Sequence, residues 1–161
     1  VEFTATMRPT AGFIVSLNGA YTDAKLKEDT DLEIVGGRKG DQLPYTPKVA
    51  VSANADYEWQ AGGSARPYVG ASLRFLGDQS GPYSPDFFAL AGRQFRIPAY
   101  AVADLRAGVE FGRLSIEAYA KNVTNSEGKT SVAGEGNFPF GAVGTGVIRP
   151  RSIGVTLGAG F

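Results

Sequence analysis

Pro150-Arg-Ser-Ile-Gly-Val-Thr-Leu-Gly-Ala-Gly-Phe161 alternates apolar side chains with small or polar ones and stops on an aromatic residue. Successive side chains of a strand point to opposite faces. Ile153, Val155, Leu157, Ala159 and Phe161 therefore share one face, and Ser152, Gly154, Thr156, Gly158 and Gly160 the other. One face suits lipid and the other an aqueous lumen, as in a closing strand of a membrane β-barrel.

The same period of two runs through six earlier segments, near residues 1–8, 13–23, 48–59, 68–76, 101–111 and 114–121. Several approach the roughly 9–11 residues with which a tilted strand crosses a bilayer. In the cleanest, Val49, Val51, Ala53, Ala55, Tyr57 and Trp59 oppose Lys48, Ser52, Asn54, Asp56 and Glu58. From Phe13 onward no charge falls on the apolar face except at segment ends, Asp23 at the close of the second segment and Arg151 at the mouth of the last. Gly112-Arg113, read as a two-residue hairpin loop, sets Phe111 opposite Leu114, and both are apolar as one shared face requires.

Connections alternate between short (8–12, 60–66, 112–113) and long (24–46, 77–99, 122–149). Outer-membrane barrels pair short periplasmic turns with long extracellular loops in this way. The pattern predicts a periplasmic C-terminus, one aromatic girdle at Tyr57, Trp59 and Phe111, and another at Tyr21, Tyr45 and Tyr100. The expected fold is all-β: an antiparallel transmembrane segment of about seven strands, forming an open curved part of a larger barrel, because bacterial barrels close with even strand numbers. Val1 is preceded by neither a methionine nor a basic and apolar leader, which predicts a processed chain or a fragment.

Sixteen basic and 16 acidic residues cancel, leaving no field to recruit nucleic acid. Cysteine and histidine are both absent, removing disulfides, thiolate metal sites and the commonest general base, so neither an enzyme nor a metal or other cofactor is expected. Asp56, Glu58, Asp104, Glu110 and Glu117 read as the carboxylates of a wet lumen lined with Arg and Lys rather than as an acid–base pair. No run approaches the roughly 18 apolar residues of a membrane helix. Asn122-Val-Thr124 matches a glycosylation acceptor but reads as a strand-end turn. The glycine-rich runs at 134–136 and 141–146 do not lie between a strand and a helix, so they predict loop flexibility rather than a phosphate cradle.

Two groups of residues emerge as site candidates. Arg74, Asp104, Arg106, Glu110, Glu117 and Lys121 bring opposite charges onto one wet face. In the long loops Tyr83, Phe87, Phe88, Arg93, Phe95 and Arg96 form one aromatic and basic cluster, and Phe138 and Phe140 another. Such clusters suit catecholate or sugar ligands through stacking and cation–π contact, the alternative being loops that pack on each other.

Residues 8–26, 43–59, 100–125 and 149–161 together resemble the C-terminal part of the barrel of TonB-dependent outer-membrane receptors, and the resemblance covers nearly the whole chain. Its most specific pieces are Leu43-Pro-Tyr-Thr-Pro-Lys48, Asp104-Leu-Arg-Ala-Gly108, Lys121-Asn-Val-Thr-Asn125 and Arg149-Pro-Arg151. It implies a barrel of about 22 strands around a plugged lumen, located in the Gram-negative outer membrane in contact with its lipid. It also implies active uptake of a scarce small-molecule ligand such as a siderophore, cobalamin or an oligosaccharide, energised by the TonB complex. The plug domain is absent from residues 1–161; the wet-face charges would hold it by charge-assisted hydrogen bonds. Phe161 would be the C-terminal signal read by the barrel-assembly machinery, although Gly158 and Gly160 depart from the larger residues often found before it. Two other readings are a small stand-alone outer-membrane barrel serving as anchor or adhesin, and a soluble ligand-binding β-barrel with its apolar face inside.

Overall fold

A computed structural model describes residues 1–134 and 143–160. The elements are β1 (Glu2–Thr10), β2 (Phe13–Tyr21), β3 (Val49–Glu58), β4 (Ala65–Leu76), β5 (Gln79–Ser80), α1 (Pro85–Ala91), β6 (Arg96–Ile97), β7 (Tyr100–Phe111), β8 (Leu114–Lys121), β9 (Lys129–Gly134), β10 (Val143–Val147) and β11 (Ser152–Ala159). Seven of them form one antiparallel sheet in the order β1-β2-β3-β4-β7-β8-β11, and the pairs β5–β6 and β9–β10 are small ribbons within the long connections. Each of the seven alternating segments has become one strand of this sheet. β1 runs past its expected end through Pro9, at an irregularity between Met7 and Thr10. Proline is tolerated there because β1 is an outer strand of the sheet.

Register fixes the two faces. Met7, Val15, Ala55, Ala71, Leu105, Ala120 and Ile153 are successive cross-strand partners, an apolar row through all seven strands. One residue away, Ile14, Asp56, Gly70, Arg106, Tyr119 and Gly154 form a row on the opposite face. Phe111 does pair with Leu114, and the loop between them turns on a φ of 58° at Gly112, a conformation that glycine adopts without steric cost.

The apolar face has no cover: Ile153 and Leu157 are 78% and 75% exposed on it. A soluble barrel would enclose that face. Here β1 and β11 are the two outer strands of an open sheet, so the described strands close neither a soluble barrel nor a small membrane barrel. Among the described residues the buried apolar side chains are Ile97, Val132 and Val102, all toward the long-loop end. The core thus sits in the cap of loops rather than between layers of sheet, as expected when the surrounding medium is apolar.

Cap assembly explains several sequence motifs. Tyr45 takes a left-handed φ of 57°, its N–H donates to the Ser80 carbonyl (2.8 Å), and its hydroxyl donates to the Val132 carbonyl (2.8 Å). One residue of Leu43-Pro-Tyr-Thr-Pro-Lys48 thereby joins all three long connections. Gln42 and Gln94 exchange hydrogen bonds of 3.1 and 2.8 Å between the first two. Asn122, 3% exposed with φ 50°, donates to the Ser126 and Arg149 carbonyls (2.9 and 3.0 Å) and accepts from the Ser126 N–H. Asn125 accepts from the Arg151 N–H at 3.0 Å. Lys121-Asn-Val-Thr-Asn125 and Arg149-Pro-Arg151 are therefore two halves of one strand-end clasp, and the buried Asn122 amide is closed to glycosylation.

At the short-turn end Phe13, Tyr57 and Trp59 form a ring ladder, edge-on at 6.1 Å and then stacked at 5.4 Å. At the long-loop end only Tyr21 of the expected girdle stands on the apolar face. Tyr100 pairs with Leu76 and so has polar-face parity, packing over Gly128, while Tyr45 turns into the cap.

Candidate functional site

The polar face carries a network that steps over glycines. Asp56 on β3 and Arg106 on β7 are both partners of Gly70 on the intervening β4, and they meet above it at 2.7 Å. A Cβ at Gly70 would collide with Asp56 Oδ1 and Arg106 Nε. Tyr68 on β4 likewise lies over Gly108 on β7 and donates its hydroxyl to Glu117 on β8 at 2.8 Å. Tyr119 covers Gly154 in the same manner. Glycine floors let a long side chain lie flat and reach the next strand but one.

Arg106 is the hub, with Glu117 at 3.7 Å and the Tyr68 ring centroid at 5.6 Å in addition to Asp56. Arg66 binds its direct cross-strand partner Glu110 at 2.5 Å and lies 3.6 Å from Glu58. Asp104 accepts from the Asn122 N–H at 2.7 Å and stands 4.0 Å from Arg74, so most of its capacity goes to the strand-end clasp. Lys121 lies 5.1 Å from the Tyr119 ring. Arg106, Glu117, Glu110, Arg74, Asp104 and Lys121 thus share the polar face, and their network is completed by Asp56, read from the sequence only as a lumen carboxylate, and by Arg66 and Tyr68, which were not among the candidates. Most of these ion pairs are about half exposed, which limits each to about 0.2–1 kcal/mol. Their yield is orientation: a fixed carboxylate and guanidinium surface, with a recess of about 720 Å³ beside Ile14, Trp59, Tyr68 and Arg106 at its short-turn end.

The long-loop candidates divide among several partners. Ser84 caps α1 by accepting from the Phe87 N–H at 3.2 Å, Pro85 opens the helix, and Gly92 closes it at φ 66°. This orients Phe87 onto Phe95, with centroids 5.2 Å apart, and Phe88 under the Arg38 guanidinium at 4.0 Å. Tyr83 packs against Gly37; its hydroxyl is buried without a hydrogen-bond partner, and burial together with the Asp41 carboxylate raises its pKa above the ordinary tyrosine value. Arg96 binds Asp78, and that bond, with the Ala99 N–H donating at 2.9 Å, holds the Asp78 carboxyl below its usual range. Arg93 remains exposed. Arg38, absent from the expected cluster, is the cation that stacks on it; its sequence position, some 50 residues before Phe88, offered no signal. Phe138, Phe140 and Phe161 lie outside the described residues.

The family described as TonB dependent receptor-like, beta-barrel matches residues 1–123. No curated protein matches the chain. Among solved structures, the ferric yersiniabactin uptake receptor FyuA from Yersinia pestis is 19% identical, with a TM-score of 0.78 covering 99% of this chain and 23% of the receptor. The ferric-catecholate import receptor Fiu from E. coli K12 is 22% identical, with a TM-score of 0.70 covering 99% of this chain and 20% of the receptor. These likenesses concern the fold, and the chain spans less than a quarter of either receptor's length.

Proposed function

The chain belongs to the TonB-dependent receptor-like β-barrel family, and we propose that it builds part of the wall and outer cap of a receptor importing a scarce ligand with energy from the TonB complex. The family is one of outer-membrane transport receptors. The observation that carries the reading is the two-faced sheet: an uncovered apolar face for lipid, and behind it a charged wall of fixed geometry. In this reading the short turns and the C-terminus are periplasmic, the plug packs on the wall formed by Arg74, Asp104, Arg106, Glu110, Glu117 and Lys121, and Phe161 is read during barrel assembly.

The cap faces outward and meets the ligand with Tyr83, Phe87, Phe88, Arg93, Phe95 and Arg96. A ferric siderophore is the favoured cargo: aromatic rings and arginines suit an anionic aromatic chelate, and both solved relatives are ferric-chelate receptors by name. The test is uptake of radiolabelled ferric siderophores by cells carrying the full-length receptor, with and without a working TonB complex. Uptake that vanishes without TonB is expected. Surface adhesion with no uptake of any ligand class would instead favour an anchor or adhesin.

A further inference from the structure

The first long connection carries an apolar knob that the transport reading leaves unused. Leu32, Ile34 and Val35 are all exposed in one turn, Ile34 to 80%. Hydrogen bonds hold that turn in a single shape. The Asp31 carboxylate accepts from the Glu33 and Ile34 N–H groups, both at 3.0 Å, and the Asp31 carbonyl accepts from the Val35 and Gly36 N–H groups, both at 2.9 Å. Beneath it Thr30 closes the base: its hydroxyl accepts from the Gly37 N–H at 2.8 Å, and its own N–H donates to the Gly37 carbonyl at 2.8 Å. Gly36 and Gly37 are buried there. Three neighbouring apolar side chains on a turn that is already ordered form a surface suited to docking, because little freedom remains to be lost on contact.

The connection 22–48 has a neighbour on each side of the ring. The connection 77–99 is engaged by residues that follow the knob: Gly36 packs against Pro85, the Arg38 guanidinium lies over the Phe88 ring at 4.0 Å, and Gln42 exchanges hydrogen bonds with Gln94. Toward β1 the neighbour is whatever leads into Val1. The Val1 nitrogen donates to the Tyr21 carbonyl at 2.9 Å and the Val1 carbonyl accepts from the Tyr21 N–H at 2.8 Å, so Val1 stands level with the last residue of β2, at the foot of the connection that holds the knob. β1 runs from there toward the short turn, and the segment entering it therefore descends from the long-loop end.

We propose that Leu32, Ile34 and Val35 dock on the connection immediately upstream of Val1 in the full-length receptor. The inference rests on the larger-barrel reading: the chain covers 23% and 20% of the two solved receptors, so most of such a molecule lies outside residues 1–161, and the alternation of short and long connections makes the one before β1 long. That connection presents apolar side chains to the knob. The contact links the first connection, and through Arg38 and Gln42 the second, to the rest of the outer loops.

The test uses the full-length receptor carrying no other cysteine, in lipid vesicles. Ile34→Cys should react with a water-soluble maleimide about tenfold more slowly than Lys27→Cys, an exposed position of the same connection, because docking removes the isoleucine side chain from water. In a second measurement p-benzoylphenylalanine placed at Glu33 is photolysed, and the crosslinked peptide, mapped by mass spectrometry, should come from the connection that leads into Val1. Equal maleimide rates, or a crosslink confined to residues 77–99 or 122–149, to lipid or to another protein, would overturn the docking while leaving the barrel reading in place. A receptor that fails to insert into the vesicles would overturn both.

Discussion

Asp56 and Arg106 stand on strands that do not touch, yet join at 2.7 Å above Gly70, the one position between them where a side chain would block the pair. The bridge depends on an absence of atoms. Gly70→Ala should therefore cost about 1–3 kcal/mol through overpacking, read as a lower midpoint for urea unfolding of the full receptor in vesicles. Repeating it in an Asp56→Ala background should recover part of that cost, because the collision is partly with Asp56. Full additivity of the two substitutions would show that the glycine serves another purpose.

Asn122 ties the end of β8 to the residues that lead into β11. Asn122→Ala removes the amide and leaves the Arg149 carbonyl and the Ser126 carbonyl and N–H without their part-buried partner, at a cost of about 1–3 kcal/mol. Asn122→Gly keeps the left-handed backbone accessible but also lacks the amide. If hydrogen bonding is the main contribution, both variants should expose residues 122–151 to limited proteolysis, whereas rescue by glycine would assign the effect to backbone conformation.

Leu105 lies at mid-strand on the apolar row and Arg106 beside it on the polar face. Leu105→Arg should destabilise insertion into vesicles by about 2–4 kcal/mol, the cost of an arginine at the bilayer midplane. Gel-shift folding assays measure this directly. A neutral effect would mean that the row does not face lipid.

Asp78 has a depressed pKa, caused first by Arg96 and then by the Ala99 N–H. Its contribution is complete above the ordinary carboxylate value of about 3.9 and is lost as pH falls through the lower value of the folded state. Protection factors for hydrogen exchange in residues 77–99, taken relative to the intrinsic rate at each pH, should fall on acidification below about pH 4, and Asp78→Asn should flatten that dependence. The effect is small, because the pair is largely exposed.

The strands were legible because alternation is a local property; their edges and faces follow from parity once one hairpin fixes the register. Much of the wall was legible for the same reason, since Arg106, Glu110 and Glu117 are on the polar face by counting. Asp56 could not be matched to Arg106 that way, because their meeting needs the register of two successive pairs and a glycine in the strand between. Tyr68 had the right parity, but its role depends on Gly108, a neighbour 40 positions away in sequence. The helix at Pro85–Ala91 did have a local signature in Ser84-Pro85 and Gly92, but it lies in a stretch whose length alone had marked it as a long connection. The cap's interior, centred on Ile97 and Val132, is built from contacts as distant as Tyr45 with Val132 and leaves no periodic trace.

The unbroken row from Met7 to Ile153 also limits how such a chain can change length. Deleting one residue from the middle of β7 would carry every following position of that strand to the opposite medium, setting Arg106 or its neighbours in lipid and Leu105 in water. Deleting two would preserve the parity. The long connections obey no such rule, since their residues belong to neither face. Insertions and deletions in this wall should come in even steps within strands and in any number within loops, which leaves the cap of long loops free to diversify around a strand framework that changes length only in pairs.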